Sequence, residues 1–206
     1  MGKWPGGMGW VVGASAFLTL FLTVEKGLAQ TCVPSVSSAS VGTLSLIPQI
    51  NELSCWAAVG EMITAKRGSR CTQCAQLSRK CNLCTNRCCS QGAGNCEMGG
   101  FVDWGWCGFS ASSTTNDRAL TWDELRNQIG CVRSPIAFSW HWEGGGGHMM
   151  VAAKYKVYSG YGNWVYVYDP DPVDEGDVFW LDYPTYVEGE YHTHWRDDYN
   201  VKVVGE

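Results

Sequence analysis

Three residues of this sequence have the types and the chain order needed for nucleophilic chemistry: a cysteine, then a histidine, then an aspartate. Cys55 opens the run Ser54-Cys55-Trp56-Ala57-Ala58-Val59-Gly60-Glu61-Met62-Ile63-Thr64-Ala65, in which Val59, Met62 and Ile63 fall on one side of a helix and Ser54 stands as its N-cap. A thiol at a helix start feels unpaired backbone N–H groups and the positive end of the helix dipole, and both favour the nucleophilic thiolate. His148 follows the glycine run 144–147 and leads into Met149-Met150-Val151-Ala152-Ala153, so it is expected where a turn enters a strand. Residues 164–168 alternate aromatic and β-branched side chains and end at Asp169-Pro170, which reads as a second strand. If these strands pair through the turn 159–163, the Asp169 carboxylate returns beside His148 and fixes its tautomer.

Each of the three also has an ordinary reading. Cys55 could be a core cysteine, His148 a histidine beside a glycine turn, and Asp169 a solvated acid in the run Asp169, Asp171, Asp174, Glu175, Asp177. That run does not make a calcium loop of the EF-hand kind, because Pro170 and Pro172 interrupt it and its central glycine is missing. His141, between Trp140 and Trp142, and His192 and His194, in what reads as a polar tail, are weaker candidates for a base.

The elements that must position these groups sit in a cysteine-rich chain. Eleven cysteines occur, at 32, 55, 71, 74, 81, 84, 88, 89, 96, 107 and 131. In an oxidising compartment structural cysteines pair, so an odd number leaves at least one thiol over, and setting Cys55 aside leaves ten for five disulfides. Cys71-x2-Cys74 and Cys81-x2-Cys84 have the outline of a zinc site, but six residues separate the pairs where zinc ribbons have a dozen or more, which favours disulfides.

Export agrees with that usage. Lys3, the apolar stretch from Trp10 to Val24, and Gly27 and Ala29 at −3 and −1 read as a signal peptide, residues 1–29, cleaved after Ala29. A retained anchor would be short for a membrane span, and a lipidated Cys32 lacks the preceding small-residue run. The remaining 177 residues suit one domain, and 45% hydrophobic with 17% charged residues over the chain is ample for a core. The formal charge of −5 becomes −6 once Lys3, Lys26 and Glu25 are removed, which argues against a nucleic-acid partner. The expected location is secreted, extracellular or periplasmic, without membrane attachment after signal removal.

Cys55-Trp56-Ala57-Ala58, Gly147-His148 and Asp169-Pro170, in that order, resemble the papain-like cysteine peptidases, most nearly a bacterial secreted branch related to plant-pathogen effector proteases. The resemblance spans about residues 44–195 and implies Cys55 as nucleophile, His148 as acid and base, and Asp169 as its orienting partner. It also implies that Gln49, six residues before Cys55, donates to the oxyanion together with the Cys55 backbone N–H. The implied fold is α+β, in a papain-like two-lobe form: a helical, disulfide-rich lobe at about 44–134, an antiparallel β lobe at about 135–206, and the active site between them.

The residues' own patterning is compatible with that outline. Thr121 and Glu124 form a capping box ahead of a helix whose Trp122, Leu125 and Ile129 share a face, and 135–140, 148–158, 164–168 and 178–181 read as antiparallel strands. The implied activity is hydrolysis of a peptide or protein substrate through a thioester, with no cofactor and no metal. The cysteine-rich insert departs from simpler members of the family. Transglutaminase-like acyl transfer uses the same three residue types and stays open. So does a non-catalytic disulfide-stapled binding module presenting some of the eleven tryptophans, which would need no reactive thiol.

Overall fold

A computed structural model describes residues 32–82 and 96–205, with Gly2 and Cys89. Apart from Gly2, the expected signal peptide lies outside the described residues, as do Cys84 and Cys88. Among the described residues, no helix is long and apolar enough to cross a membrane.

The architecture is a mixture of helices and one antiparallel sheet. In chain order the elements are β1 (Ser38–Ser40), α1 (Cys55–Lys66), α2 (Gln73–Lys80), β2 (Phe109–Ser113), α3 (Trp122–Asn127) running into a π-helical turn (Gln128–Val132), β3 (Ile136–Trp142), β4 (Gly147–Tyr158), β5 (Gly162–Asp169), β6 (Asp177–Asp182), α4 (Tyr183–Val187) and β7 (His192–Val203). The strands lie in the order β2-β7-β3-β4-β5-β6. β1 pairs Lys154–Lys156 of β4, beyond the stretch of β4 that pairs β3.

The expected β4–β5 hairpin forms, closing at Tyr158 opposite Gly162 and running up to Val151 opposite Tyr168. In β4, Met149 to Ala153 are all buried, an unbroken run rather than an alternation, because α1 covers one face of a strand at the centre of the sheet. The helix is enclosed too. Every residue from Cys55 to Thr64 is buried, not only the side holding Val59, Met62 and Ile63, since α1 packs against both β4 and α2. Burial of Glu61 in that helix is offset by the Arg70 guanidinium at 2.5 Å and by the Gln73 backbone N–H at 2.7 Å.

The expected capping box is present at α3, with Thr121 accepting from the Glu124 N–H and the Glu124 carboxylate accepting from the Thr121 N–H. Hydrogen bonds from Arg118 and Thr121 hold that carboxyl low, at about 2. Leu125 and Ile129 are fully buried.

Two sequence expectations need correction. The sheet also takes β1 and β2 from the first half of the chain, so strands are not confined to the segment after 135. The polar tail holding His192 and His194 is instead β7, an inner strand paired with β2 and β3. Its charges read as exposed, yet Asp197 and Asp198 are fully buried because each carboxylate meets a set of donors from distant parts of the chain. Asp197 accepts from the Leu120 N–H at 2.6 Å and from the Tyr186 hydroxyl, and lies 3.1 Å from His194 Nε2. Asp198 accepts from Trp104 Nε1 at 2.9 Å, Ser113 Oγ at 2.6 Å and Arg196 Nε at 2.6 Å.

Cys32 is bonded to Cys131, Cys71 to Cys107 and Cys74 to Cys89, and Cys96 is also in a disulfide. These bridges limit the unfolded chain's freedom. They also assign Cys71 and Cys74 to separate disulfides, which removes them from a zinc site. Among the described residues, Cys55 and Cys81 are the unbridged cysteines.

Candidate active site

Cys55 begins α1, but Ser54 does not cap the helix as its position suggests. Its hydroxyl turns back to donate to the Asn51 carbonyl at 3.0 Å and accepts from the Asn51 N–H at 3.1 Å. The Ser54 carbonyl accepts from Ala57 and Ala58. Among the described residues, no acceptor takes the N–H of Cys55 or Trp56, which places helix N-terminal donors beside the sulfur.

His148 enters from the sheet. The preceding glycines make the β3–β4 turn, with Gly145 and Gly146 at φ of 88° and 78°, values that side-chain-bearing residues rarely adopt. Gly147 has a packing reason: a Cβ there would run into the Trp140 carbonyl and the Trp195 ring. The β4–β5 register brings Asp169 back beside His148, whose Nε2–H donates to Asp169 Oδ1 at 2.6 Å. Nδ1 is left for the Cys55 sulfur. Asp169 is in turn held by the Asp171 N–H, 2.9 Å from the same oxygen. The structure therefore brings Cys55, His148 and Asp169 together and gives Asp171 a supporting place.

Gln49 is placed differently from its expected role. It is buried, and its Nε2 donates to Asp171 Oδ1 at 2.8 Å, while its backbone N–H donates to the Pro170 carbonyl at 2.9 Å. The amide is committed to the loop after β5 and does not line the cleft at Cys55. Spacing along the chain could not reveal this, because the competing acceptor is 122 residues away. Of the other histidines, His192 and His194 are buried and donate to the carbonyls of Thr185 and Tyr186. His141 lies against Trp195, ring centroids 4.9 Å apart.

The pair at the cleft is electrostatically unusual. Burial by itself would lower the imidazolium pKa, but hydrogen bonds and charge from Asp169 and Cys55 outweigh it and hold His148 at about 10. An imidazole in the unfolded chain titrates near 6.5. A raised folded-state pKa means that protonated His148 stabilises the fold in full below about pH 6.5, and this contribution is lost as pH rises through about 10. The difference in urea midpoint between the wild type and His148→Gln should therefore narrow steadily from pH 6.5 to pH 10. A difference that stays constant over that range would show that no such ion pair exists.

The cleft holding these groups has a volume of about 280 Å³. One wall is Glu52, Leu53, Cys55 and the backbone of Gly99 and Gly100, and the other is Gly146, Gly147, His148 and Ser139. Phe101 and Trp195 also line it and meet edge to face, ring centroids 5.0 Å apart. Among the described residues, no group of three or more histidines, cysteines or acids is placed to hold a metal ion. No known protein family matches the chain, and no curated protein does so either.

Proposed function

We propose that this protein is a secreted cysteine-type peptidase of the papain-like kind, with the helices and the sheet forming two lobes about the cleft. The observation that supports this best is an unbridged Cys55 at an uncapped helix start, facing a histidine that an aspartate holds protonated at neutral pH. In this reading the Cys55 thiolate attacks the carbonyl carbon of a peptide bond, and the developing oxyanion accepts from the Cys55 N–H. Gln49 joins as a second donor only on turning its amide away from Asp171. His148 Nδ1–H passes its proton to the leaving amine as the C–N bond breaks, leaving a thioester and a neutral imidazole. His148 then takes a proton from water as the oxygen attacks the thioester, the carbon–sulfur bond breaks, and the acid product leaves the thiolate–imidazolium pair restored.

The test uses the mature protein with a mixed peptide library and mass spectrometry. Hydrolysis predicts product pairs whose masses sum to the substrate plus one water, absent in Cys55→Ala. Iodoacetamide should alkylate Cys55 at least tenfold faster than Cys81, the other unbridged thiol among the described residues and an internal reference. New amide links to an added amine, without gain of water, would instead establish acyl transfer. Alkylation at Cys55 no faster than at Cys81, with no cleavage, would sink the enzyme reading in favour of a stapled binding module.

A further inference from the structure

A second recess of about 420 Å³ adjoins the cleft and carries the chemistry to read an acidic side chain. Phe101 lines both spaces, and Trp56, the neighbour of Cys55, forms part of the recess wall. Two cations stand over its aromatic walls. Lys80 Nζ is 5.4 Å from the Trp56 ring centroid, and the Arg79 guanidinium is 5.3 Å from that of Trp106. The Lys80 ammonium lies at the boundary of the two spaces: a Cβ built on Gly100, a residue of the cleft wall, would be 2.7 Å from Nζ and 3.3 Å from the Trp56 ring.

The charges do not cancel within the recess. Asp103 is the one carboxylate in its described lining, and it stands 3.7 Å from Arg79 with both side chains more than half exposed, a weak pairing. Lys80 has no carboxylate partner among the described residues. On a chain of net charge −5, a recess with two cations against one acid is a local reversal of sign, and flat aromatic walls keep those cations in place without neutralising them.

We propose that this recess is a subsite selecting an aspartate or glutamate in the substrate, a short and fixed number of residues from the bond attacked by Cys55. The proposal rests on the reading of Cys55 as a nucleophile toward peptides, and it adds the substrate class: peptides with an acidic residue near the cleavage point. The carboxylate would lie between Lys80 and Arg79, with its methylenes against Trp56 and Trp106.

The test is alkylation by peptidyl chloromethyl ketones, in which the Cys55 thiolate displaces chloride from the methylene carbon to form a thioether. It needs no turnover, so it stands apart from the hydrolysis assay. A series of reagents carries Asp, Asn or Lys at each successive position, and every rate is divided by that of the same protein with iodoacetamide. At one position Asp should react about 5- to 10-fold faster than Asn, the scale of one or two partly exposed ion pairs. Lys80→Glu and the double variant Arg79→Glu/Lys80→Glu should erase that ratio and favour Lys at the same position. Equal rates for Asp and Asn at every position, or an acidic preference that survives the double variant, would overturn the subsite. Absent hydrolysis with an intact Asp preference would overturn the peptidase reading and leave the subsite standing.

Discussion

Hydrolysis by His148→Ala should fall by about three orders of magnitude, within the range that a general acid and base contributes. The expectation comes from the double duty of one imidazole. In the proposed mechanism it balances the charge of the attacking thiolate and then supplies the proton without which the amine is a poor leaving group. Its position is set from outside the cleft, by the β4–β5 register and the 2.6 Å bond to Asp169. Asp169→Asn should therefore give an intermediate loss, with its alkaline limb moved down from about pH 10, because a neutral amide no longer favours the imidazolium. His148 is the second residue of β4, ahead of its buried run, so the variant should fold with near-native disulfides and circular dichroism. A folded His148→Ala protein that retains more than a tenth of wild-type hydrolysis would remove this histidine from the mechanism.

A large loss of stability is expected at a residue far from the cleft. Asp197→Ala should destabilise the fold by about 3–5 kcal/mol, as breaking a buried charged network does. The carboxylate is fully buried and links the start of α3, through the Leu120 N–H, to α4, through the Tyr186 hydroxyl. Burial and the neighbouring Asp197 push the Tyr186 hydroxyl well above its ordinary pKa, so it stays a donor at all working pH values. Removing the acceptor leaves that hydroxyl and the Leu120 N–H without a partner in a water-free place, each costing about 1–3 kcal/mol. Urea denaturation of the oxidised protein measures the difference directly. A loss under about 1 kcal/mol would mean that water enters and replaces the carboxylate. Because Asp197 does not line the cleft, the ratio of Cys55 to Cys81 alkylation rates should be unchanged wherever the variant is folded.

These two sites divide along the line between local and distant information. Cys55 at a helix start, the glycine turn before His148, the strand ending at Asp169 and the capping box at Thr121 are all written within a few residues of chain, since helix starts, tight turns and strand alternation depend on neighbours. Even the approach of Asp169 to His148 needs only one hairpin, across a sequence separation of 21. The rest required contacts that no local pattern encodes. β7 carries Arg196, Asp197 and Asp198, which taken alone belong to solvent, and the two aspartates are buried because Trp104, Leu120 and Tyr186 bring donors to meet them. Ser54 has the right type for a cap and gives its hydroxyl to Asn51 instead. Gln49 has the spacing of an oxyanion donor and gives its amide to Asp171, and Lys80 reaches the edge of the cleft only because α2 packs on α1. The amino-acid sequence by itself thus determined which groups could react and on which kind of element each would stand. The tertiary structure decided which polar groups are already engaged and which remain free to act, because a hydrogen-bond donor serves the partner it meets in space, whatever its place in the chain.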